Sequence, residues 1–400
     1  MAATAVVLAR RRLNSNPAVV VDRLRSLDVF RGATVALMIL VNNPGSWSHI
    51  YAPLAHAPWH GATPTDLVFP FFLFAVGNAL ALVLPRLRRQ PPAVFWRKVL
   101  VRTVLIFAIG LLLNAAPFLQ WDSAGTLVWR DWTQLRLMGV LQRIALCFGG
   151  AAVIVWLGGQ RGALWAAAVL LLAYWAACVA FGAAGDPYSL QGWFGTSVDR
   201  ALLGASHLYR GEGLPFDPEG LASTPPAIAQ VLLGWWVGEM LRSSCAPDRA
   251  VVLRLLRLAL PMLMLALAWH LLMPINKKIW TSSYVLLTTA LATLTLAGLV
   301  WLLEVHRRPA RWARLFEFFG RNALFVFVLS GLLPRFLGLW RWPHDGGSGW
   351  TSPLPWLYQH GFAGIGSDPR LSSLLFACAN VAFYGLLAWW LDRRRIYIKV

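Results

Sequence analysis

Charged residues are scarce in this sequence of 400 residues: Asp, Glu, Lys and Arg make up 13% of it, and only 17 residues are acidic. A soluble domain of this size would carry about twice that charged fraction, so a soluble globular protein is excluded. Cysteine is scarce as well, and the residues at positions 147, 178, 245 and 378 lie in or beside apolar runs. That placement argues against both a disulfide framework and a zinc site, and we expect no metal.

Hydrophobic residues are abundant instead. They make up 58% of the chain, and the mean hydropathy is +0.57. The 22 tryptophans suit a protein anchored at two membrane–water interfaces. Taking apolar runs of roughly 17 to 25 residues as spans, we predict an all-α polytopic membrane protein with ten transmembrane helices. They lie at about 27–43, 66–85, 99–116, 135–157, 163–183, 224–241, 255–273, 282–303, 315–339 and 371–391.

The net charge of +19 is unevenly distributed along the chain. With a cytoplasmic N-terminus, the inner segments and the flanking Arg102 and Arg257 hold 24 of the 36 Lys and Arg, the outer segments hold seven and the spans five. This asymmetry is the positive-inside pattern and indicates that both termini are cytoplasmic. The basic excess therefore reflects topology and predicts no nucleic-acid partner. The start of the chain lacks a small-residue cleavage site, which favours a cytoplasmic tail over a signal peptide.

The expected organisation is a basic cytoplasmic tail at 1–26, one transmembrane domain at 27–391 and a second basic tail at 392–400. The outer loops are the longer ones, at 44–65, 117–134, 184–223 and 340–370. Loops of that length usually carry function or pack over the helices.

Polar side chains within the apolar runs are costly in hydrocarbon and therefore informative. Arg136 and Arg143 fall in the fourth run, seven residues apart and so on one expected helical face. Arg31 can pair with Asp28 one turn earlier. Such cations are either paired or snorkelling structural residues, or they bind an anion, and the sequence leaves both interpretations open.

The stretch "LAHAPWHGATPTDLVFPFFLFAVG", residues 54–77, places His56, His60 and Asp66 at the start of an apolar helix. A histidine of near-neutral pKa at such a position can act as a general base or as a nucleophile. Asp66 can orient a histidine or bind an ammonium group, or it can simply cap the helix. An interfacial histidine is often only a solvated bystander.

Several long, non-repetitive blocks accompany the stretch at 54–77: "RLRSLDVFRGATVALMILVNNPG", "LRLMGVLQRIAL", "FDPEGLASTPPAIAQVLLG", "PINKKIWTSSYVLLTTA" and "RRRIYIKV". Together these blocks resemble the heparan-α-glucosaminide N-acetyltransferase family, over roughly residues 22 to 400. The resemblance implies a multi-span enzyme that transfers acetyl groups from cytoplasmic acetyl-CoA to the amine of a glucosamine-type sugar on the outer side. The lysosomal member carries a lumenal domain before its first span, and we expect this chain, as a bacterial inner-membrane relative, to lack it.

The resemblance also implies site residues. The histidine of the "HAPWxG" motif corresponds to His56, and the asparagine that ends the first span in "VN" corresponds to Asn42. Three extra residues separate them here relative to the lysosomal enzyme. His60 stands where that enzyme has asparagine, which argues against His60 as the base. An amide such as that of Asn42 can stabilise an oxyanion.

Two further sets of residues are candidates for binding the substrates. No Gly-rich phosphate loop is present, so the phosphates of coenzyme A would fall to buried basic and amide side chains: Arg31, Arg143, Arg321 and Asn322. The outer block "HLYRGEGLPFDPEG" and its neighbourhood can form a polar floor for the sugar or simply a packed loop. Its candidates are Asp199, His207, Tyr209, Asp217 and Glu219, and Asp66 is a separate candidate for binding the substrate ammonium.

Other functions remain open at this stage. A permease or flippase for amino sugars or glycan intermediates would also suit ten spans with buried arginines, although it does not need a reactive histidine. A non-catalytic scaffold leaves the arginines unexplained. The identity of the acceptor sugar, the choice between an acetyl-histidine and direct transfer, and the existence of a homodimer are also open.

Overall fold

The computed structural model describes residues 24–244, 247–306, 310–344 and 349–398, and these are mostly helical. The α-helices within these ranges are α1 (Arg25–Asn42), α2 (Val68–Arg88), α3 (Pro92–Ala115), α4 (Val140–Phe181), α5 (Gly195–Leu203), α6 (Thr224–Arg242), α7 (Arg249–His270), α8 (Ser282–Val300), α9 (Arg311–Arg321), α10 (Ala323–Leu337), α11 (Pro353–Gly361) and α12 (Pro369–Arg393). Short 3₁₀ helices lie at Ala52–Leu54, Pro64–Leu67, Trp132–Gln134 and Ala205–His207, and a π-helical turn at Trp301–Val305.

The chain also contains two small antiparallel β-ribbons. Strand β1 (Leu119–Trp121) pairs with β2 (Leu127–Trp129), and β3 (Trp342–Pro343) pairs with β4 (Trp350–Thr351). They lie in outer loops of the predicted topology, and most of their residues are partly or fully exposed.

The predicted spans all fall on helices, but their number stays a prediction. Among the described residues six helices are long and apolar enough to cross a membrane, or seven if the α9–α10 pair, bent by 77°, is one span. The fourth and fifth predicted spans share the 42-residue helix α4, which is interrupted at Gly159 (φ 60°, ψ −153°). Helices α1 and α6 do not meet this measure. The chain is therefore a mostly helical integral membrane protein, as predicted at that coarser level.

Parts of the predicted cytoplasmic segments lie outside the described residues. These are 1–23 and 399–400 of the two tails, 245–246 with Cys245 in one inner loop, and 307–309 in another.

Helix α6 is buried along most of its length and packs against α2 and α4. Its Gly234 and Gly238 lie one turn apart on the face towards α2. A Cβ on Gly234 would lie 2.5 Å from the carbonyl oxygen of Phe74, and a Cβ on Gly77 of α2 would lie 2.2 Å from that of Val231. The two backbones are thus in contact, as in the small-residue interfaces of membrane helices.

Gly77→Ala should therefore destabilise the protein, because the added methyl group must push α2 away from the backbone of α6. We expect a loss of about 1–3 kcal/mol, the usual range for overpacking, measured as a lower melting temperature in detergent. Gly298→Ala in α8 is the matched control, since nothing lies within 4 Å of its added Cβ. It should be neutral or stabilising by up to about 1 kcal/mol. Equal melting temperatures for the two variants would contradict the proposed close packing.

Helix α1 leads from one end of the bundle to the loop that carries the histidines. It packs against α9, α2 and α12. Its close approach to α9 depends on Gly32, whose Cβ would lie 1.7 Å from the carbonyl oxygen of Phe316. The helix ends at Asn42. This packing fixes the position at which the Asn42 side chain leaves the helix.

Candidate active site

The loop between α1 and α2 is docked on the loop between α7 and α8, residues 271–281. The Gly61 N–H donates to the Ile275 carbonyl oxygen at 2.8 Å, within a parallel β-bridge between Gly61 and Asn276. Asn276 is fully buried, and its side-chain oxygen accepts from the Ile279 N–H at 3.1 Å. In sequence, Asn276 lies 216 residues from His60, so only tertiary folding brings the two loops together. Together they form one wall of the site.

His56 and Asp66 form a hydrogen-bonded pair in the first of these loops. Nδ1 of His56 lies 2.6 Å from Oδ1 of Asp66. The Asp66 side chain is 1% exposed, whereas that of His56 is 47% exposed. Oδ2 of Asp66 accepts the N–H groups of Ala57 (3.0 Å) and Thr63 (2.9 Å) and the Thr63 hydroxyl (3.1 Å).

These contacts define the tautomer of the neutral His56 ring. An ionised carboxylate only accepts hydrogen bonds, so Nδ1 of His56 carries the hydrogen that binds Asp66. Nε2 of the neutral ring is then left with its lone pair. Asp66 also completes a capping box with Thr63 before α2. The two roles considered for Asp66 in the sequence, orienting a histidine and capping a helix, are therefore both present.

Lys277 of the second loop adds a cation to this pair. Its Nζ lies 3.0 Å from Nδ1 and 3.3 Å from Nε2 of His56, and 3.4 Å from Oδ1 of Asp66. Burial lowers the pKa of Lys277, and the negative charges of Asp66 and Glu219 partly offset this effect. A cation and a carboxylate thus flank the same imidazole from two separate loops.

A cavity of about 150 Å³ opens beside this centre. Its polar lining is formed by Asn42, His56, Thr65, Glu219 and Lys277, and its apolar walls by Met38, Val41, Val68, Phe69, Phe72, Val140, Ile144 and Phe327. The amide of Asn42 makes no hydrogen bond to any described residue, so it is available to a ligand. The cavity suits a ligand whose polar reacting group is carried on an apolar arm.

Glu219 is held at the cavity wall by Arg136. The guanidinium donates to Asp217 at 2.9 and 2.6 Å and to Glu219 at 2.5 Å. It also lies 4.8 Å from the centre of the Tyr209 ring. Burial opposes ionisation of Glu219, but the charge of Arg136 and of other nearby cations outweighs it and lowers the pKa of Glu219. Asp217 and Tyr209 thus support Glu219 through Arg136.

The prediction that Arg136 and Arg143 share one helical face is wrong. Helix α4 begins at Val140, so Arg136 lies in the non-helical segment before it and Arg143 lies in its first turn. The polar contacts of the outer loop hold residues 135–139 in a non-helical path, which an apolar run read from the sequence does not reveal. In particular, the Leu137 N–H donates to the His207 carbonyl oxygen at 3.2 Å.

Arg143 is fully buried and holds the segment that follows Glu219. Its Nη2 donates to the Gly220 carbonyl oxygen at 2.8 Å and to the Ser223 hydroxyl. Its guanidinium also lies 5.2 Å from the centre of the Trp280 ring. Arg143 does not line the cavity.

Asp199 and His207 support the same outer loops. Oδ1 of Asp199 accepts the Ala222 N–H at 3.0 Å, and burial raises the pKa of Asp199 to about 6. Nδ1 of His207 lies 2.7 Å from the Leu135 carbonyl oxygen. Among the predicted residues of the outer 199–219 block, Glu219 lines the cavity and the others lie behind it.

The remaining candidates for phosphate binding lie away from the cavity. Arg31 pairs with Asp28 at 2.5 Å. It precedes Asn42 by eleven residues on α1, or about 16 Å at the helical rise. Arg321 pairs with Asp392 at 2.5 Å, and the side-chain oxygen of Asn322 accepts the Ile398 N–H at 2.9 Å. These three residues lie towards the end of the bundle that holds the predicted cytoplasmic termini.

His60 occupies a different position from His56. Its Nδ1 lies 3.3 Å from the side-chain nitrogen of Asn276, and burial lowers its pKa. It does not line the cavity.

Lys277 is a residue of the site that the sequence pattern did not predict. A signal was present, because the chain has lysines only at positions 98, 277, 278 and 399, and two of them are adjacent in "PINKK". Among the described residues, no group of three or more His, Cys, Asp and Glu side chains is arranged to hold a metal ion.

Comparison with known proteins confirms the resemblance predicted from the sequence. The family model "Heparan-alpha-glucosaminide N-acetyltransferase, catalytic" matches residues 23–204. The chain is 26% identical over 359 residues to the Homo sapiens heparan-alpha-glucosaminide N-acetyltransferase, with 76% of this chain and 52% of the relative covered. It is 27% identical over 369 residues to the Mus musculus protein of the same name, with 79% and 54% covered. The chain spans about half the length of the curated relatives that it matches.

Proposed function

From this family resemblance we propose that the chain is a transmembrane N-acetyltransferase. It moves an acetyl group from cytoplasmic acetyl-CoA to the amine of a glucosamine-type sugar on the outer side of a bacterial inner membrane. The observation that carries the proposal is the His56–Asp66 pair, which leaves the lone pair of the neutral ring on Nε2, beside a cavity that Asn42, Glu219 and Lys277 also line. A transporter or a scaffold has no need of such an oriented base.

The chemistry requires a proton acceptor, because a sugar ammonium has no lone pair with which to attack a thioester. Nε2 of His56 takes this proton, a role that typically accelerates a reaction about 10²–10⁴-fold. Alternatively, Nε2 attacks the thioester first and the amine then captures the acetyl-histidine. In both routes Asp66 holds the neutral ring in the tautomer that leaves the lone pair on Nε2, and Asn42 is a donor for the developing oxyanion.

The charges around His56 favour the imidazolium that forms during proton transfer. Asp66, Asp217 and Glu219 carry three negative charges, and Arg136 and Lys277 carry two positive ones. When His56 takes up a proton, the resulting imidazolium lies 2.6 Å from the Asp66 carboxylate, which stabilises its charge. Glu219, at the cavity wall, is also our candidate for binding the acceptor before its amine loses a proton.

The donor reaches this centre from the cytoplasmic side. The apolar walls of the cavity belong to α1, α2, α4 and α10, and they suit the pantetheine arm of coenzyme A. Arg31, Arg321 and Asn322 are our candidates for the region of its phosphates. Arg143 is better placed to support the Glu219 loop, since its guanidinium binds Gly220 and Ser223.

The topology we propose has ten spans with both termini in the cytoplasm. Cysteines engineered at the exposed positions Ser48 and Ser197 should then react with a membrane-impermeant reagent in intact cells, and one at Ser243 should not. All three positions are exposed, so burial does not explain a difference between them. Reaction at Ser243 in intact cells would contradict the topology.

The function is tested by a panel of amines with labelled acetyl-CoA and purified protein in detergent. Glucosamine, chitosan-like oligomers and de-N-acetylated cell-wall glycans are the acceptors to compare, and transfer to at least one of them is expected. Counterflow of labelled amino sugar in proteoliposomes without any acetyl transfer would instead support a permease.

A further inference from the structure

We propose that Lys277 is a catalytic residue of this acetyl transfer, whose ammonium group donates a hydrogen bond to the thioester carbonyl oxygen and stabilises the oxyanion that forms there. The inference rests on the proposed function and deepens it. It concerns a residue that neither the family resemblance nor the sequence pattern singled out.

The position of the thioester carbonyl relative to Nζ of Lys277 follows from the geometry of proton transfer to His56. The attacking amine must lie within about 2.6–3.2 Å of Nε2 of His56, and about 3–3.5 Å from the carbonyl carbon. The thioester carbonyl is therefore confined to the immediate surroundings of Nε2. Nζ of Lys277 lies 3.3 Å from Nε2 and lines the same cavity, so the carbonyl oxygen falls within its reach.

Lys277 also has a donor to spare. Its ammonium carries three N–H groups, and its described contacts are with the imidazole of His56 and with Oδ1 of Asp66. Nδ1 of His56 carries the hydrogen that binds Asp66 and cannot accept another, so at most Nε2 and Oδ1 accept from the ammonium and one N–H remains for a ligand. Because the Lys277 side chain is only 19% exposed, its charge acts in a poorly solvated site, where it stabilises a developing anion more than it would in water.

In the direct route the amine lone pair forms the new N–C bond while the carbonyl π electrons move to oxygen, beside Lys277 and Asn42. The ammonium proton of the acceptor has by then passed through Nε2 of His56 to solvent, so Nε2 takes the second proton, from the nitrogen that now bears the acetyl carbon. The oxyanion then reforms the carbonyl and the C–S bond breaks, and the departing sulfur takes the proton from His56 to leave as coenzyme A. In the acetyl-histidine route the same oxygen becomes negative twice, so Lys277 has the same role.

The chain supplies a matched control in the next residue. Lys278 has the same charge and lies in the same loop, but its Nζ pairs with Glu212 at 2.6 Å and lies 5.7 Å from the centre of the Trp59 ring. Lys278 does not line the cavity. Lys277→Met and Lys278→Met therefore remove equivalent groups from the same loop, one inside the cavity and one outside.

The experiment measures kcat and KM for acetyl transfer by wild type, Lys277→Met, Lys277→Arg and Lys278→Met. Lys277→Met should lower kcat by about 10²–10³-fold, the usual cost of one oxyanion donor. Its KM for acetyl-CoA should change by less than about threefold, because the lost interaction belongs to the transition state. Lys278→Met should keep most of the wild-type activity, and Lys277→Arg should recover part of the loss.

The pH profile supplies a readout that a structural role would not change. The charged groups that face Lys277 are His56 and Asp66 from the first loop, Glu219 from the segment before α6 and Lys278 from its own loop. Burial lowers the pKa of Lys277, so the wild-type kcat should fall on the alkaline side as the ammonium loses its proton. An arginine side chain stays protonated at pH values where a buried lysine loses its proton. Lys277→Arg should therefore move this fall in kcat to higher pH.

The possible failures are distinguishable. Absence of turnover by wild type with every acceptor would overturn the proposed function itself. Turnover by wild type together with an unchanged kcat in Lys277→Met would overturn the role of Lys277 alone. So would an equal loss in Lys278→Met, or an alkaline limb that Lys277→Arg leaves in place. Acetylation of Lys277 in wild type incubated with acetyl-CoA, seen by mass spectrometry, would also overturn it, since an amide carries no positive charge.

Discussion

His56→Ala should lower acetyl transfer by about 10²–10⁴-fold, the usual contribution of a general base. The substitution removes the only described imidazole that lines the cavity. The His56 side chain is half exposed, so its loss should leave little void in the fold. Expression, membrane insertion and protection against thermal unfolding by coenzyme A should therefore stay close to wild type. The measurement is the initial rate with labelled acetyl-CoA and the best acceptor of the panel.

His60→Ala is the control for this prediction. His60 lies in the same loop but contacts Asn276 and does not line the cavity. It should keep most of the activity. Loss of turnover in His60→Ala with retention in His56→Ala would show that the base has been assigned to the wrong histidine.

Asp66→Asn should lower the rate by a similar factor, about 10²–10⁴-fold, although it changes one atom. Oδ2 accepts three hydrogen bonds from Ala57 and Thr63, so the asparagine oxygen must remain there. Its NH₂ group then faces Nδ1 of His56 and donates to it. Nδ1 becomes an acceptor, the hydrogen moves to Nε2, and the base loses its lone pair. In the serine-protease triad the corresponding wrong tautomer costs about 10⁴-fold.

Two measurements separate this effect from unfolding. The cap before α2 keeps its acceptor in Asp66→Asn, so the melting temperature and the binding of coenzyme A should change little. Asp66→Ala removes the acceptor as well, and it should lose stability together with activity. An Asp66→Asn variant that is well folded and nearly fully active would refute the role of Asp66 in setting the tautomer.

The sequence alone predicted the helical membrane class and the positions of the apolar segments. Long apolar runs must satisfy their backbone hydrogen bonds internally, so hydropathy identifies membrane helices directly. The runs at 135–157 and 315–339 show the limit of this argument. In the first run, residues 135–139 are not helical, and the Leu137 N–H donates to the His207 carbonyl oxygen instead. In the second run, α9 and α10 are bent by 77° relative to each other.

Much of the site was also accessible before the structure. The resemblance of the "HAPWHG" and "VN" motifs pointed to His56 and Asn42, and both line the cavity. Asp66 and Glu219 were candidates among several acidic residues. No sequence pattern separates Glu219 from Asp217 or Asp199. Arg136 holds Glu219 at the cavity wall and Asp217 behind it, and Asp199 binds the backbone of Ala222 instead.

What the sequence determined by itself is the solvent in which each segment lies, because the free energy of moving a side chain from water to hydrocarbon depends mainly on its own chemistry. What only the tertiary structure decided is which polar groups meet. Lys277 reaches His56 because the loop before α8 pairs with the loop before α2 at Gly61 and Asn276. Arg143 supports a loop instead of facing a phosphate because α4 begins beside Gly220 and Ser223. Hydrogen bonds and close ion pairs require contact within a few ångströms, so the partners of these polar groups are fixed by packing between distant segments.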